Sequence, residues 1–164
     1  MAFRTTFNSP SKGPIDVYNI DFSVGAARFN LPADVMLVQA LFRMVHFELQ
    51  DKFPPPPGET DIDVNGKLTR ATVRFIRNWQ GVVEALGFPT FRDDSFDPFR
   101  KQRQVSTVRH VRYSFELLNQ ECFNRHLTAG TVEGFLSLPT RSDIPAQLRR
   151  ELALPARPVA KQYQ

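Results

Sequence analysis

A tight turn followed by an amphipathic helix, in the stretch 63–80 with the letters DVNGKLTRATVRFIRNWQ, constrains the fold of this chain most strongly. The dipeptide Asn65-Gly66 favours positive φ at consecutive residues and therefore predicts the turn. Thr69 predicts the helix start, because its side chain can accept a hydrogen bond from a backbone N–H of the first turn. Gly87, followed closely by a proline, predicts the helix end. We therefore predict a helix from about Thr69 to Leu86.

The apolar side chains of this helix recur at steps of three and four residues, which places them on one face. They are Val73, Ile76, Trp79, Val83 and Leu86. Trp79 is the only tryptophan of the chain. A tryptophan in such a stripe is typical of core packing, and the alternative is that it stacks on a sugar or on a partner surface.

A second helix is predicted upstream, from Asn30 to about Leu49. Asn30 is a suitable N-cap, Pro32 is tolerated in the first turn, and Asp34 suits the positive end of the helix dipole. The side chains predicted to form its buried face are Val35, Val38, Leu41, Phe42 and Val45.

The segments around these two helices are less regular. Residues 15–22 roughly alternate apolar and polar side chains, which predicts a half-buried strand within an N-terminal arm, residues 1–29. The run Pro54–Pro57 predicts a stiff, extended connector. Residues 88–104 predict an irregular loop, and the side chains expected to pin it to the core are Phe91, Phe96 and Phe99.

The C-terminal part is predicted to be a helical extension, residues 91–153. Apolar residues at helical spacing predict one helix, and a strand over 105–115 is the alternative for its beginning; these residues are Val108, Val111, Phe115, Leu118 and Cys122. Two short helices are predicted over 128–138 and 142–152, the second with Ser142 or Asp143 as its cap and Pro145 in its first turn. Residues 154–164 are predicted to be a flexible tail.

Composition limits the classes of protein to consider. A chain of 164 residues with 41% hydrophobic residues can form one packed domain with a small appendage. Its net charge of +4 permits anionic partners without identifying one. The single cysteine excludes an internal disulfide. Neither a bilayer-spanning apolar run nor the hydrophobic segment of a signal peptide is found, so we expect cytoplasmic synthesis, with export only by a non-classical or phage-type route.

Residues that could carry chemistry are scattered. Cys122 and His126 share a helical face, but two ligands are too few for a zinc site, so neither a metal nor a cofactor is predicted. The acids at positions 93, 94 and 97 do not follow a calcium-loop pattern and are expected to be solvated loop charge. A nucleophile elbow, a phosphate loop and a Cys–His signature are all absent from the sequence, so we predict a non-enzymatic protein.

The most basic stretch runs from Arg100 to Arg112. Its charged residues are Arg100, Lys101, Arg103, Arg109, His110 and Arg112. With aromatic residues nearby, it could hold a phosphate backbone. The acids just before it would weaken its field, so an ordinary charged surface is favoured.

Two stretches together resemble a known family. The first helix carries the letters DVMLVQAL, and a connector leads to Val64-Asn-Gly66, then to Thr72, Ile76 and the pair Trp79-Gln80. This order resembles the small three-helix peptidoglycan-binding-like domain found beside many wall hydrolases, which has an Asp-Gly turn, a helix with an early threonine, an apolar stripe and an aromatic-Gln pair. The resemblance covers about residues 30–88.

The chain departs from the family pattern at four places, one of which is the run Pro54–Gly58 in the connector. Asn65 stands for the family's Asp, Leu68-Thr69 for its Phe-Gly, and Phe75 for a residue that is usually small. The resemblance implies a mainly α fold. We expect a small orthogonal helical bundle of peptidoglycan-binding-like type over residues 30–90, with a short N-terminal strand and the helical C-terminal extension.

The resemblance implies a binding surface beside the turn and along the second helix. The residues expected to contact the ligand are Asn65, Gly66, Arg70, Arg77, Asn78, Trp79 and Gln80. The function expected from it is a non-enzymatic binding module that recognises cell-wall peptidoglycan, as a phage-type or exported component. One alternative is a protein–protein interaction subunit of a multi-protein particle. The other is a basic nucleic-acid-binding protein, although nucleic acid is not the partner we expect.

Overall fold

Three strands come first along the chain, two helices follow, and a fourth strand precedes the three C-terminal helices. The structure, a computed structural model, describes residues 1–9, 13–49, 52–107 and 109–158. The elements in order are strands β1 (Phe3–Ser9), β2 (Gly13–Asn19) and β3 (Val24–Gly25), helices α1 (Pro32–Arg43) and α2 (Arg70–Ala85), strand β4 (Ser95–Phe96), and helices α3 (Ser114–Thr128), α4 (Val132–Leu136) and α5 (Ala146–Leu152). A π-helical turn, Met44–Glu48, continues α1, and a 3-10 turn, Leu138–Thr140, lies between α4 and α5.

The architecture is mixed α/β, so the predicted mainly α helical bundle is wrong. Over the described residues the chain has five helices, with 42% of residues helical, and two small antiparallel sheets with 13% of residues in strands. β1 pairs with β2 from Phe3–Asn19 to Ser9–Gly13, and β3 pairs with β4. The predicted strand overlaps β2. Its partner β1 was not predicted because Thr5 lies on its buried side, which hides the apolar alternation.

Helix α1 forms the centre of the core. Residues 33–42 are all buried, so the helix has no polar face, although the five predicted core residues are indeed buried. The cap prediction is wrong, because the N-cap is Leu31. Asn30 has a φ of 54°, and its side chain bonds to both the N–H and the carbonyl of Gly25.

Helix α2 confirms the predicted helix and its signals. The Thr69 hydroxyl accepts a hydrogen bond of 3.1 Å from the Thr72 N–H, and Gly87 has a φ of +88° after the helix end. The buried face is turned relative to the prediction, because Phe75 is fully buried while Leu86 is 44% exposed. The buried residues of α2 are Thr72, Phe75, Ile76, Trp79, Gln80 and Val83.

The C-terminal helices follow the predicted order. α3 begins only at Ser114. Of the alternative strand over 105–115, the described residues show one bridge, between Val105 and Arg112. Val108 lies outside the described residues. In α5 the N-cap is Pro145, and Asp143 instead pairs with Arg141 at 2.6 Å.

One apolar core joins the parts of the chain. It has members from residues 1–29, from the helix pair and from the C-terminal helices. Phe96 and Phe99 are buried as predicted, whereas Phe91 is half-buried. None of the helices in the described ranges is long and apolar enough to cross a bilayer. Of the predicted tail, residues 159–164 lie outside these ranges.

Candidate functional site

The residues predicted to bind a ligand are divided among a turn, an outer helix face, the core and a cleft. They do not form one surface. Asn65 and Gly66 lie at the turn, Arg70, Arg77 and Asn78 on the outer side of α2, Trp79 in the core, and Gln80 beneath a neighbouring loop.

The turn is organised by a buried glutamine of α1. The Gln39 side-chain oxygen accepts 3.0 Å hydrogen bonds from the N–H groups of both Asn65 and Gly66, and its nitrogen donates to the carbonyl of Lys67 and the hydroxyl of Thr72. Gly66 has a φ of +75° and packs so closely on α1 that a Cβ would lie 2.8 Å from the Pro32 carbonyl oxygen. These contacts give the turn a structural role.

The outer face of α2 borders an open groove of about 470 Å³ next to the proline connector. Arg77 makes a bidentate pair with Asp94, which raises the pKa of the arginine and lowers the pKa of the carboxyl. Arg74 pairs with Glu59 at 2.7 Å, and Arg92 lies 3.5 Å from Glu84. Because these arginines all have acidic partners, the groove is not a strong anion site.

Of the two other predicted residues on this side, Asn78 lines the groove and Arg70 does not. Arg70 is exposed at the first position of α2. Asn78 donates a 3.3 Å hydrogen bond to the carbonyl of Pro54, which ties the connector to the helix.

Trp79 lies in the core, as its place in the apolar stripe predicted. Its side chain is fully buried, and the indole N–H donates a 2.9 Å hydrogen bond to the carbonyl of Ser114, the first residue of α3. The ring of Phe53 contacts it edge to face at 5.3 Å. Its position fits the packing of α2 against α3.

Gln80 holds a loop that we call the strap, residues 90–97. The Gln80 oxygen accepts from the Asp94 N–H at 3.2 Å, and its nitrogen donates to the Asp93 carboxylate and to the Ser95 carbonyl at 3.1 and 2.9 Å. Asp93 also accepts from the Ser95 N–H and hydroxyl, and from Arg28 at 3.1 Å. The Asp93 carboxylate therefore fixes the backbone of the strap, which differs from the prediction that these acids are only solvated loop charge.

The strap forms one wall of a cleft of about 290 Å³. Carboxylates, hydroxyls, an amide and two half-buried aromatic rings converge on this cleft. Its lining residues are Gln80, Thr90, Phe91, Asp93, Ser95, Asp97, Ser106, Thr107, Val111, Arg112, Tyr113 and Ser114. The lining comes from four separated stretches, so no local pattern in the sequence could identify it.

The candidate metal ligands are engaged in the core. The Cys122 thiol donates to the carbonyl of Leu41 at 3.4 Å, and its burial raises its pKa well above the ordinary value. The His126 Nδ1 lies 3.0 Å from the carbonyl oxygen of Thr131. Within the described part of the chain, no group of three His, Cys, Asp or Glu residues is placed to hold a metal ion.

Comparison with known proteins found no relative: no protein-family model, no curated protein and no solved structure matches the chain. The peptidoglycan-binding-like resemblance therefore stays a prediction.

Proposed function

We propose that this chain is a non-enzymatic binding module that holds a sugar-containing ligand in the cleft beside the strap, with cell-wall peptidoglycan as its source. The observation that carries the proposal is the lining of the cleft. Polar side chains converge there around the rings of Phe91 and Tyr113. The cleft volume of about 290 Å³ lies near the lower end of the usual range for small-ligand sites, roughly 300–1,000 Å³.

The lining matches the chemistry of a sugar ring. Sugar hydroxyls both donate and accept, so they can pair with the carboxylate of Asp97 and with the hydroxyls of Thr90 and Thr107. Aromatic rings supply flat apolar area for the ring's C–H faces, while the polar groups fix its orientation. Such a site favours one or two rings of an amino sugar.

Binding, rather than bond cleavage, is favoured by how the acids are held. Asp93 already accepts hydrogen bonds from Gln80, Ser95 and Arg28, and Asp97 accepts from the Ser23 hydroxyl at 2.5 Å. A general acid and base need two carboxylates in clearly different environments. Here both carboxylates are hydrogen-bonded loop anchors, which suits the positioning of a ligand.

We therefore expect the ligand to contact the cleft rather than the outer face of α2. Of the predicted residues, it retains Gln80, which supports the strap from below. Arg77 contributes indirectly, because its pair with Asp94 fixes the same loop.

The test is retention on insoluble peptidoglycan sacculi, with soluble disaccharide–peptide fragments as competitor. The cleft variant is Phe91→Ala/Asp97→Asn. The matched control is Phe29→Ala/Asp63→Asn, which removes the same side-chain types from exposed positions elsewhere. We expect wild type and control to be retained and displaced by the fragments, and the cleft variant to lose at least about tenfold in affinity, as for loss of about 1.4 kcal/mol.

Circular dichroism and a thermal melt must show that each variant keeps its fold. Failure of wild type to be retained at low salt would remove peptidoglycan as the ligand. Equal loss in both variants would remove the cleft as the site.

A second candidate function, a protein–protein interaction subunit, is favoured by one observation. Phe22 and Phe29 are 44% and 78% exposed, and their rings contact each other at 5.2 Å. The clamp of Asn30 on Gly25 fixes the loop that presents them. If this pair docks a protein, Phe22→Ser/Phe29→Ser should abolish the recovery of a co-purifying partner while sacculus retention stays unchanged.

A further inference from the structure

A second surface, which adjoins the cleft at Phe91 and Arg112, concentrates exposed positive charge. Between Pro98 and Phe115 the sequence has five Lys and Arg residues and neither Asp nor Glu. We call these five residues the basic turn: Arg100, Lys101, Arg103, Arg109 and Arg112. Arg112 pairs with the buried carboxylate of Glu116 at 3.3 Å.

The other four cations of the basic turn are exposed, and none makes an ion pair with an acid in the described ranges. Of the acids just upstream, Asp93 pairs with Arg28 and Asp94 with Arg77, which leaves Asp97 as the one upstream acid without a cationic partner in the described ranges. The basic turn therefore keeps a local positive field that the order of charges along the sequence would hide.

The backbone that carries these cations is fixed at strained positions. Arg103 and His110 have φ of 56° and 54°, in the left-handed region that side chains rarely adopt. The Arg103 N–H donates to Glu116, and the His110 N–H donates to the Ser106 carbonyl at 3.0 Å. The Ser106 N–H in turn donates to the Val111 carbonyl at 2.8 Å, which closes the loop on itself. Strain that is held in place by such contacts is a reason to look for a function at this loop.

Two of the arginines lie over aromatic rings. The guanidinium of Arg109 is 5.6 Å from the centre of the Phe91 ring, and that of Arg112 is 5.8 Å from the centre of the Phe88 ring. Phe88 is 38% exposed. The Arg112 side chain is mostly buried and paired with Glu116. At the exposed Arg109, the ring beneath the guanidinium limits its rotamers, so its planar fork of N–H donors is presented in a fixed orientation.

We propose that the basic turn binds the phosphodiester backbone of a single-stranded nucleic acid. Arginine forks match phosphate oxygens in geometry as well as in charge. A positive track beside aromatic rings is also how sequence-tolerant single-strand binders hold the backbone and stack bases. A bilayer surface is disfavoured because, within the described part of the turn, Val105 is the one large apolar side chain that is exposed.

The experiment measures fluorescence anisotropy of a labelled oligothymidylate of about 20 nucleotides, long enough for one such site. The test variant is Arg100→Ser/Lys101→Ser/Arg103→Asn/Arg109→Ser, with Asn chosen because it tolerates positive φ. The matched control, Lys52→Ser/Lys67→Ser/Arg70→Ser/Arg150→Ser, removes four exposed cations elsewhere and gives the same net charge.

For wild type we expect log K to fall with log salt concentration with a slope of about −3, as four phosphate contacts predict. The test variant should lose at least about tenfold in affinity and most of that slope, and the control should stay within about twofold of wild type. If the test variant unfolds, the single variants Lys101→Ser and Arg109→Ser replace it, each expected to reduce the slope by about 0.7.

Equal losses in test and control variants would overturn the proposal, because net charge alone would then explain binding. So would binding to vesicles of anionic phospholipid with no binding to the oligonucleotide at the same salt concentration. Sacculus retention, which depends on the cleft, is expected to be unchanged in Arg100→Ser/Lys101→Ser/Arg103→Asn, which keeps Arg109 over the Phe91 ring, so this proposal and the glycan proposal fail independently.

Discussion

Two buried glutamines each hold a loop by hydrogen bonds to its backbone, and only one of the two loops can be predicted from the sequence. Gln39 of α1 holds the turn before α2, and Gln80 of α2 holds the strap. Both side chains are 1% exposed, and each satisfies backbone groups of a loop with one amide. The turn carries a strong local signal in Asn65-Gly66, whereas the strap carries none.

A local sequence signal and a long-range contact contribute differently to the two loops. The residues Asn65-Gly66 favour the turn locally, and Gln39 fixes the turn against the core by bonding its N–H groups. The strap depends on contacts from outside, namely Gln80, Arg77 and Arg28. We therefore expect damage at Gln39 to lower the stability of the whole domain and damage at Gln80 to loosen one loop.

The largest effect is expected for Gln39→Leu. This change leaves the N–H groups of Asn65 and Gly66 and the carbonyl of Lys67 without their buried partner. Two of the groups that Gln39 bonds, the Gly66 N–H and the Thr72 hydroxyl, are held in buried hydrogen bonds. Each unsatisfied buried group costs about 1–3 kcal/mol, so we expect the free energy of unfolding to fall by about 3 kcal/mol. Urea denaturation followed by tryptophan fluorescence measures this change. A loss below about 1 kcal/mol would mean that water replaces the amide, and the turn would then not depend on α1.

Alanine substitution at two glycines tests whether the turn is fixed against α1. Gly66 and Gly87 both have positive φ, so alanine at either position costs about 1 kcal/mol for the backbone. At Gly66 the new Cβ would also meet Pro32 and Met36 at 2.8 and 2.9 Å, whereas at Gly87 it would meet no atom within 4 Å. We expect Gly66→Ala to lower the free energy of unfolding by about 1 kcal/mol more than Gly87→Ala. Equal losses would show that the turn can move away from α1.

The helix pair could be predicted because its signals are local. Thr69 caps α2 and Gly87 ends it, each through a contact within its own helix end. The same logic failed at Asn30, since its amide is bound by Gly25 across the loop and is not available as a cap. It also failed for β1, where Thr5 faces the core.

The candidate site was less predictable than the helices. Gln80 was singled out from the sequence, but as a surface ligand rather than as the support of the strap. The cleft joins residues near positions 80, 93, 107 and 113, and their proximity follows from packing of α2 on α3 through Trp79 and Ser114. Long-range packing of this kind leaves no spacing pattern along the chain.

A smaller effect is expected for Gln80→Leu. Asp93 and Asp94 are at least partly solvent-accessible, so water can replace part of what the amide supplies. We expect a loss of about 1 kcal/mol in unfolding free energy. Faster amide hydrogen exchange should be confined to Asp94, Ser95 and their neighbours, with the amides of Asn65 and Gly66 unchanged. Faster exchange at the turn as well would contradict the division into two independently held regions.

The smallest expected effect is a pH dependence of stability. It distinguishes the uncharged amides of Gln39 and Gln80 from the ionisable carboxyl of Glu116. Glu116 accepts the Arg103 N–H and pairs with Arg112, yet its burial raises its pKa above the ordinary value of 4.5. The folded protein therefore takes up this proton at a higher pH than the unfolded chain does. The stability contributed by protonated Glu116 is fully present below pH 4.5 and is lost as pH rises through the folded pKa.

Glu116→Gln removes this titration while preserving an acceptor for the Arg103 N–H. The difference in unfolding free energy, wild type minus variant, should become more favourable to wild type as pH falls from neutral toward 4.5. Denaturation at several pH values measures this difference, and the same series on Gln39→Leu should give a pH-independent difference. If the Glu116 difference instead becomes less favourable to wild type on acidification, then the pair with Arg112 outweighs burial and the pKa of the carboxyl is lowered. The loop that carries the basic turn would in that case be held by an ion pair, and acid would release it.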